Sequence, residues 1–365
     1  MSFFEKYSSN TYAGSANQLY FSTNGEVRVG RVYYKISVGG EYEYSILFSN
    51  TIDSTYSDGK VSQKNLVCGE WKIHSAKIGR CSKMSNDDIA RGNAEACDFV
   101  DLTFDGSTTK TVAPAELFAS DGIRYFFEKG EYLCLEIAFS GDMIPYHEES
   151  LLPVFIKGES GWKYCKQMPF ASMIGCDRKI EKRVAYLGDS ITQGIGVPTN
   201  CYGFWNALVS EMCGDKNAYW NLGIGFGRAN DASSDGAWLY KAKQNDVVVV
   251  CFGVNDICQG FGEEQIRRDL DTIVERLNDA GCKVILQTIP PFDYDEEKAK
   301  RWLRINEYIK TTLANKVELA FDVVPYLGKS ESEPHIAQYG GHPNEQGSAI
   351  WASALYEKIA NSGII

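Results

Sequence analysis

The sequence predicts a doubly wound α/β domain preceded by an all-β sandwich, and three observations predict it. The 365-residue chain is about two and a half times a typical ~150-residue domain, so its length favours two domains over one. Up to about residue 175 it consists of short segments rich in Val, Ile, Tyr and Phe, separated by Gly, Asp, Asn and Ser clusters. From Arg183 onward, apolar runs alternate with stretches of helical periodicity, which is the grammar of a parallel sheet with crossover helices.

The β reading of the first part, residues 1–178, rests on QLYFS, VRVGRVYYKISV, YEYSILFS, ACDFVDLTF and EYLCLEIAF. Their spacing suits an antiparallel sandwich or jelly roll, and no long 3.6-residue period argues for helices on its faces. The loop-like stretch ASMIGCDRKIEK marks the boundary, and residues 179–365 form the second domain. There VAYLG, NAYWNLG, DVVVVCFG, CKVILQTIP and VELAFDVV read as buried parallel strands. Helices are predicted near 203–213, 231–243, 263–280 and 296–315, with a closing one near 345–361. The expected architecture is flavodoxin-like, and in such sheets chemistry gathers at the carboxyl ends of the strands.

Composition excludes several classes. With 44% hydrophobic and 23% charged residues the chain is globular and can bury sizeable cores. A formal charge of −11 repels phosphate backbones and anionic lipid, so neither nucleic acid nor a membrane surface is an expected partner. Eleven cysteines accompany only four histidines, with no Cys-x-x-Cys and no Cys–His pair at zinc spacing, so no metal site is expected. Cys251 and Cys282 lie inside apolar runs, where cysteine behaves as a small hydrophobe. The opening MSFFEKYSSNTYAG lacks a basic stretch followed by an apolar one, and no apolar run reaches membrane-spanning length. The expectation is a reduced, cytoplasmic setting.

Four strand ends carry the functional signal. Gly188-Asp189-Ser190-Ile191-Thr192 follows the first strand, where Ser190 either turns and caps the chain or presents a hydroxyl beside backbone N–H groups. Asp189 is expected to bond local backbone groups and shape the turn. The second strand runs into Asn221-Leu222-Gly223-Ile224-Gly225-Phe226-Gly227-Arg228, whose glycines permit unusual backbone angles or close approach of an N–H to a substrate oxygen. A dinucleotide fingerprint fails on spacing and on strand position. Gly253-Val254-Asn255-Asp256 offers the Asn255 amide as a donor from a third strand end, or simply a turn. Gly341-His342-Pro343-Asn344 holds a histidine in a loop just before the last helix, where a general base is readily presented.

Taken together, GDSIT, a glycine after the second strand, GVND and HPN resemble the SGNH (GDSL) hydrolase superfamily over about residues 183–362. The resemblance implies an SGNH hydrolase fold with Ser190 as nucleophile and His342 as its base. It also implies an oxyanion hole made by the backbone N–H groups of Ser190 and Gly225 and the Asn255 side chain. A serine hydroxyl needs a base during attack and the tetrahedral oxyanion needs donors, so chemistry supports the same assignment. No metal or organic cofactor is required.

One position departs from the family pattern, because Tyr339 stands where the family's DxxH motif has the Asp that orients the histidine. A main-chain carbonyl, a carboxylate from elsewhere such as Glu333, or no group at all can replace it. Carbohydrate esterase family 2, a branch of the superfamily, supports its Ser–His dyad with a backbone carbonyl and carries an N-terminal jelly roll. The sequence is similar to that family's two-domain acetylxylan esterases, also in the glycine turn followed by Arg228. That resemblance implies removal of acetyl groups from xylan or xylo-oligosaccharides, acting on imported oligosaccharides if the setting is cytoplasmic. A lipase, lysophospholipase or thioesterase of the same superfamily is the alternative, and a non-catalytic carbohydrate-binding protein is a third reading. Tyr202, Trp205 and Trp238 lie near the motifs and either stack on sugar rings or fill the core. The expected partner is an acetylated oligosaccharide or polysaccharide substrate, and a homo-oligomer is compatible with the composition.

Overall fold

A computed structural model describes residues 2–57, 61–92 and 95–365. The chain divides into two compact units: Met1–Ile52 with Leu66–Lys179, and Asp53–Asn65 with Ile180–Ile365.

The first unit is strand-rich and antiparallel. One sheet runs in the order Ser8–Ser9, Met173–Cys176, Gly40–Ser49, Leu117–Ala119, with Ile123–Phe127 also paired to Gly40–Ser49. The other runs Gly161–Tyr164, Val154–Gly158, Arg28–Lys35, Tyr132–Gly141, Trp71–Cys81, Cys97–Asp101, with Lys110–Val112 also on Trp71–Cys81. Aromatic side chains join the two sheets: Trp71 of the second lies 6.2 Å from Phe118 of the first, which stacks at 5.2 Å on Phe48. Leu133, Leu135, Ile137 and Phe139, at alternate positions of one strand, are fully buried, as a half-buried sheet requires. Two short helices, Phe3–Lys6 and Asn86–Arg91, are present as well.

The second unit holds, in chain order, β1 (Arg183–Gly188), α1 (Ser190–Gln193), α2 (Trp205–Cys213), β2 (Ala218–Asn221), α3 (Ala229–Ala232), α4 (Ala237–Ala242) and β3 (Val247–Cys251). There follow α5 (Val254–Cys258), α6 (Glu263–Asp279), β4 (Lys283–Gln287), α7 (Glu296–Thr311), β5 (Leu319–Phe321) and α8 (Glu345–Ser362). All pairings are parallel and the sheet order is β2-β1-β3-β4-β5. That 2-1-3-4-5 order reverses direction between β1 and β3, which opens a crevice at their carboxyl ends.

Val247 to Val250 in the central β3 are all fully buried, which accounts for an unbroken apolar run where a one-sided strand would alternate. Helix α6 buries Ile266, Leu270, Ile273, Val274 and Leu277, a stripe at helical spacing, and it starts with Glu263 and Glu264 near its positive end. Helix α8 packs on α2, with Trp351 stacked on Trp205 at 4.6 Å between centroids. The stretch expected as one helix over 231–243 is two short ones, because Asp235 sits at φ 57° and breaks the helical path before Gly236.

Strands Thr51–Ser57 and Val61–Val67 pair in a two-stranded sheet, the hairpin strands below, and most of their residues group with the α/β unit. A division into contiguous halves does not anticipate that this excursion groups with the α/β unit. Its polar side chains find partners there: Asp53 pairs with Lys241 of α4 at 2.7 Å, and Ser54 bonds Asp231 of α3 at 2.7 Å.

Candidate active site

Each candidate side chain is placed by the end of an element. Ser190 is the first residue of α1, directly after β1, and Asp189 caps that helix by accepting the Ile191 N–H at 2.9 Å. A Cβ on Gly188 would lie 2.5 Å from the Cys251 carbonyl oxygen and 2.1 Å from Thr192 Oγ1, so only glycine permits this tight strand-to-helix step. Ser190 is half-buried.

His342 is set two residues before the N-cap of α8, where Asn344 Oδ1 accepts the Gly347 N–H at 3.0 Å. Its Nε2 lies 2.9 Å from Ser190 Oγ. Its Nδ1 lies 2.9 Å from the main-chain carbonyl of Tyr339, which also accepts the His342 backbone N–H at 2.9 Å. A carbonyl only accepts, so Nδ1 carries the proton and Nε2 is left to accept from the serine hydroxyl. The turn that makes this possible is Tyr339-Gly340-Gly341-His342, whose two central residues have φ 61° and 105°. Side chains at both positions would be strained, and a Cβ on Gly341 would lie 2.7 Å from the Pro291 carbonyl oxygen.

Glu333, the carboxylate expected as an alternative support for His342, lies elsewhere: it is 3.5 Å from His335 Nδ1. The imidazole N–H it would have accepted is already satisfied within the turn. Of the three substitutes for the family's Asp, the geometry selects the main-chain carbonyl.

The glycine turn after β2 closes with Gly227 N–H on the Ile224 carbonyl at 3.1 Å, and Phe226 takes φ 58°, a conformation costly for a bulky residue. Gly225 sits buried at its centre. Asn255 donates one amide N–H to the Gly227 carbonyl at 3.0 Å, which leaves its second N–H for another acceptor. Asp256, beside it, accepts the N–H groups of Ala229 at 3.0 Å and Asn230 at 3.3 Å.

The electrostatics follow from burial. Desolvation lowers the His342 pKa from the ordinary 6.5, while the Tyr339 carbonyl bond acts the other way. Burial pushes the Asp189 and Asp256 carboxyls up to about 7 against their backbone hydrogen bonds, and Asp256 adds like-charge repulsion on Asp189.

Trp205 and Trp238 are buried, with their indole N–H groups on the Ile191 carbonyl at 3.1 Å and the Leu222 carbonyl at 2.7 Å, so both serve the core. Tyr202 is half-buried and lies 6.0 Å from Phe204. Sequence reasoning missed Phe292, whose ring meets the His342 ring edge-on at 5.3 Å, and the Tyr339 ring 4.5 Å from it. Phe292 follows β4, so reading that strand end as the others were read finds it. Among the described residues no group of His, Cys, Asp and Glu is arranged to hold a metal ion, and no helix is long and apolar enough to cross a membrane.

Comparison with known proteins places a sequence match within the α/β unit. Residues 186–350 match the model of the GDSL-like lipase/acylhydrolase family. A search of curated proteins finds no match. Among solved structures, a member of the lipolytic protein G-D-S-L family from Veillonella parvula is 20% identical at a TM-score of 0.41, covering 49% of this chain and 98% of its own. The psychrotrophic esterase EstA from a Pseudoalteromonas species is 19% identical at 0.40, covering 49% of this chain and 97% of its own. A catalytic mutant of Axe2, an acetylxylan esterase from Geobacillus stearothermophilus, is 18% identical at 0.42, covering 50% and 95%. The strand-end motifs thus lie within the stretch, residues 186–350, that is similar to the GDSL-like lipase/acylhydrolase family, in keeping with the resemblance to the SGNH superfamily.

Proposed function

We propose that the protein is a serine esterase that removes O-acetyl groups from acetylated carbohydrates, such as xylan or xylo-oligosaccharides, through an acyl-enzyme. The observation that carries the reading is the Ser190 Oγ–His342 Nε2 contact of 2.9 Å, with the opposite ring nitrogen held by a main-chain carbonyl. Ser190 attacks the ester carbonyl as His342 Nε2 takes its proton, and the Tyr339 carbonyl stabilises the resulting imidazolium through Nδ1–H. The N–H groups of Ser190 and Gly225 and the free N–H of Asn255 receive the oxyanion. His342 returns the proton to the leaving sugar hydroxyl, then activates water to release acetate. The carbonyl-supported histidine and a strand-rich unit ahead of the hydrolase favour the acetyl-carbohydrate branch of the superfamily, and we read that unit as a jelly roll and residues 1–178 and 179–365 as its domains.

The test is acetate release from an acetylated xylo-oligosaccharide, with acetate, butyrate and octanoate esters of one chromophoric alcohol compared alongside. Expected are acetate release and a rate that falls as the acyl chain lengthens. Rates rising toward octanoate support a lipase or thioesterase instead, and glycan binding without turnover supports a binding protein.

The acid limb of activity is a second expectation. The base acts as neutral imidazole, and burial lowers its pKa, so kcat/KM falls with falling pH at a midpoint below the ordinary 6.5. A pH–rate profile with its acid midpoint at 7 or above contradicts His342 as the base.

A further inference from the structure

The oxyanion-hole turn is held from two sides, and only one of them is part of the hydrolase motifs. On the inner side, Asn255 bonds the Gly227 carbonyl at 3.0 Å, and Asp256 binds the Ala229 and Asn230 N–H groups at 3.0 and 3.3 Å. On the outer side stands the hairpin Asp53–Asn65. Ser54 Oγ donates to Asp231 Oδ2 at 2.7 Å, and the same oxygen accepts from Arg228 Nε at 2.9 Å while Oδ1 pairs with the guanidinium's other edge. Arg228 continues to Gln259, just past α5, with a bond of 3.0 Å to Oε1. Lys64 Nζ donates to the Asn230 carbonyl at 3.1 Å and to its side-chain oxygen at 2.9 Å, and Asn65 Nδ2 donates to Ser234 Oγ at 2.6 Å. Four consecutive residues, Arg228 to Asp231, are thus fixed between α5 with the residue after it and a segment more than 160 positions away in sequence.

We propose that the hairpin is the outer half of a clamp that fixes the oxyanion-hole turn, with Ser54 and Lys64 as positioning residues for the esterase reaction. The proposal rests on the assignment of the turn to the oxyanion hole under the proposed function. The physical demand is strict. A donor stabilises the transition state only when aimed at the place the oxyanion will occupy, and misplacement by about 1 Å costs on the order of 100-fold. The turn needs outside support because Phe226 is held at φ 58°, a conformation that persists only when its surroundings over-determine it. Buried Asp231, gripped bidentately by Arg228, passes the hairpin's position to the residue that directly follows Gly227. Neither Ser54 nor Lys64 is placed among the reacting groups, so their effect should fall on rate rather than on substrate binding.

The experiment compares wild type with the double variant Ser54→Ala/Lys64→Ala and with Ser54→Thr, all in the full chain, using an aryl acetate. The expected result is a kcat about tenfold lower in the double variant with KM within about twofold. Ser54→Thr, which keeps the hydroxyl, should stay within about twofold of wild type. Amide hydrogen exchange over residues 223–230 is measured on the same proteins well below their melting temperatures and should be faster in the double variant. A double variant with wild-type kcat overturns the proposal, as does unchanged exchange over that segment. If wild type hydrolyses no more aryl acetate than Ser190→Ala, the esterase reading itself fails. The exchange comparison then still decides whether the hairpin holds the turn, and a clamp with no reaction to serve is rejected as a catalytic device.

Discussion

Ser190→Ala is expected to lower kcat on an acetyl ester by about 10⁴- to 10⁶-fold, with little change in KM, because it removes the group that forms the acyl-enzyme. His342→Ala should cost nearly as much, and the double variant hardly more than either single one, since the two side chains act as a unit across the 2.9 Å contact. What remains in these variants is the contribution of oxyanion donors and binding. The support for the histidine gives the prediction a sharper form. In a Ser-His-Asp enzyme, losing the Asp carboxylate costs about 10⁴-fold. Here the supporting atom is the main-chain oxygen of residue 339, which every side chain at that position retains. Tyr339→Ala is therefore expected to lose less than about tenfold, since it removes the ring contact with His342 but keeps the supporting carbonyl. The measurement is steady-state hydrolysis of an aryl acetate by the four variants. Equal turnover by wild type and Ser190→Ala, or a 10⁴-fold loss in Tyr339→Ala, defeats the assignment of roles.

Asp53→Ala should destabilise the protein by about 3–5 kcal/mol, the typical cost of leaving one buried charge without its partner. Asp53 and Lys241 lie 2.7 Å apart with side chains 0% and 1% exposed. The pair itself adds little net stability, because desolvating both ions offsets most of their attraction. Breaking it leaves the buried ammonium without its counter-ion. For a unit of roughly 200 residues, each kcal/mol moves Tm by about 2–4 °C, so a drop on the order of 10 °C is expected. Replacing both residues by apolar ones of similar volume, Asp53→Leu with Lys241→Met, should recover most of the loss. Thermal or denaturant unfolding of the two single variants and the double variant measures this as a coupling energy. A single variant within 1 kcal/mol of wild type would show that the ion pair is not closed to water.

The strand-end motifs made the hydrolase unit legible because each is local. GDS, the glycine turn, GVND and HPN are set by residues that sit directly after a strand or before a helix, and their chemistry shows in the residue types alone. The sheet's apolar run Val247–Val250 and the α6 stripe were legible for the same reason, being periodic patterns along one element. The break between α3 and α4 was not, because the pattern of apolar residues continues across it while Asp235 turns left-handed. The contact of Phe292 with His342 was not legible either, since it joins the end of β4 to a histidine 50 positions later.

By itself the sequence determined the fold class of the α/β unit, the family it resembles, and the residue types gathered at its strand ends. Tertiary structure alone decided two matters. One is the group behind His342: sequence left a carbonyl, Glu333 or nothing, and the positive φ angles of Gly340 and Gly341 bring the Tyr339 carbonyl to Nδ1 while Glu333 goes to His335. The other is the hairpin 53–65, which pairs with side chains of α3 and α4 far away in sequence. Hydrogen bonds and ion pairs between distant segments depend on where the chain returns in space, and no periodicity or local motif records that.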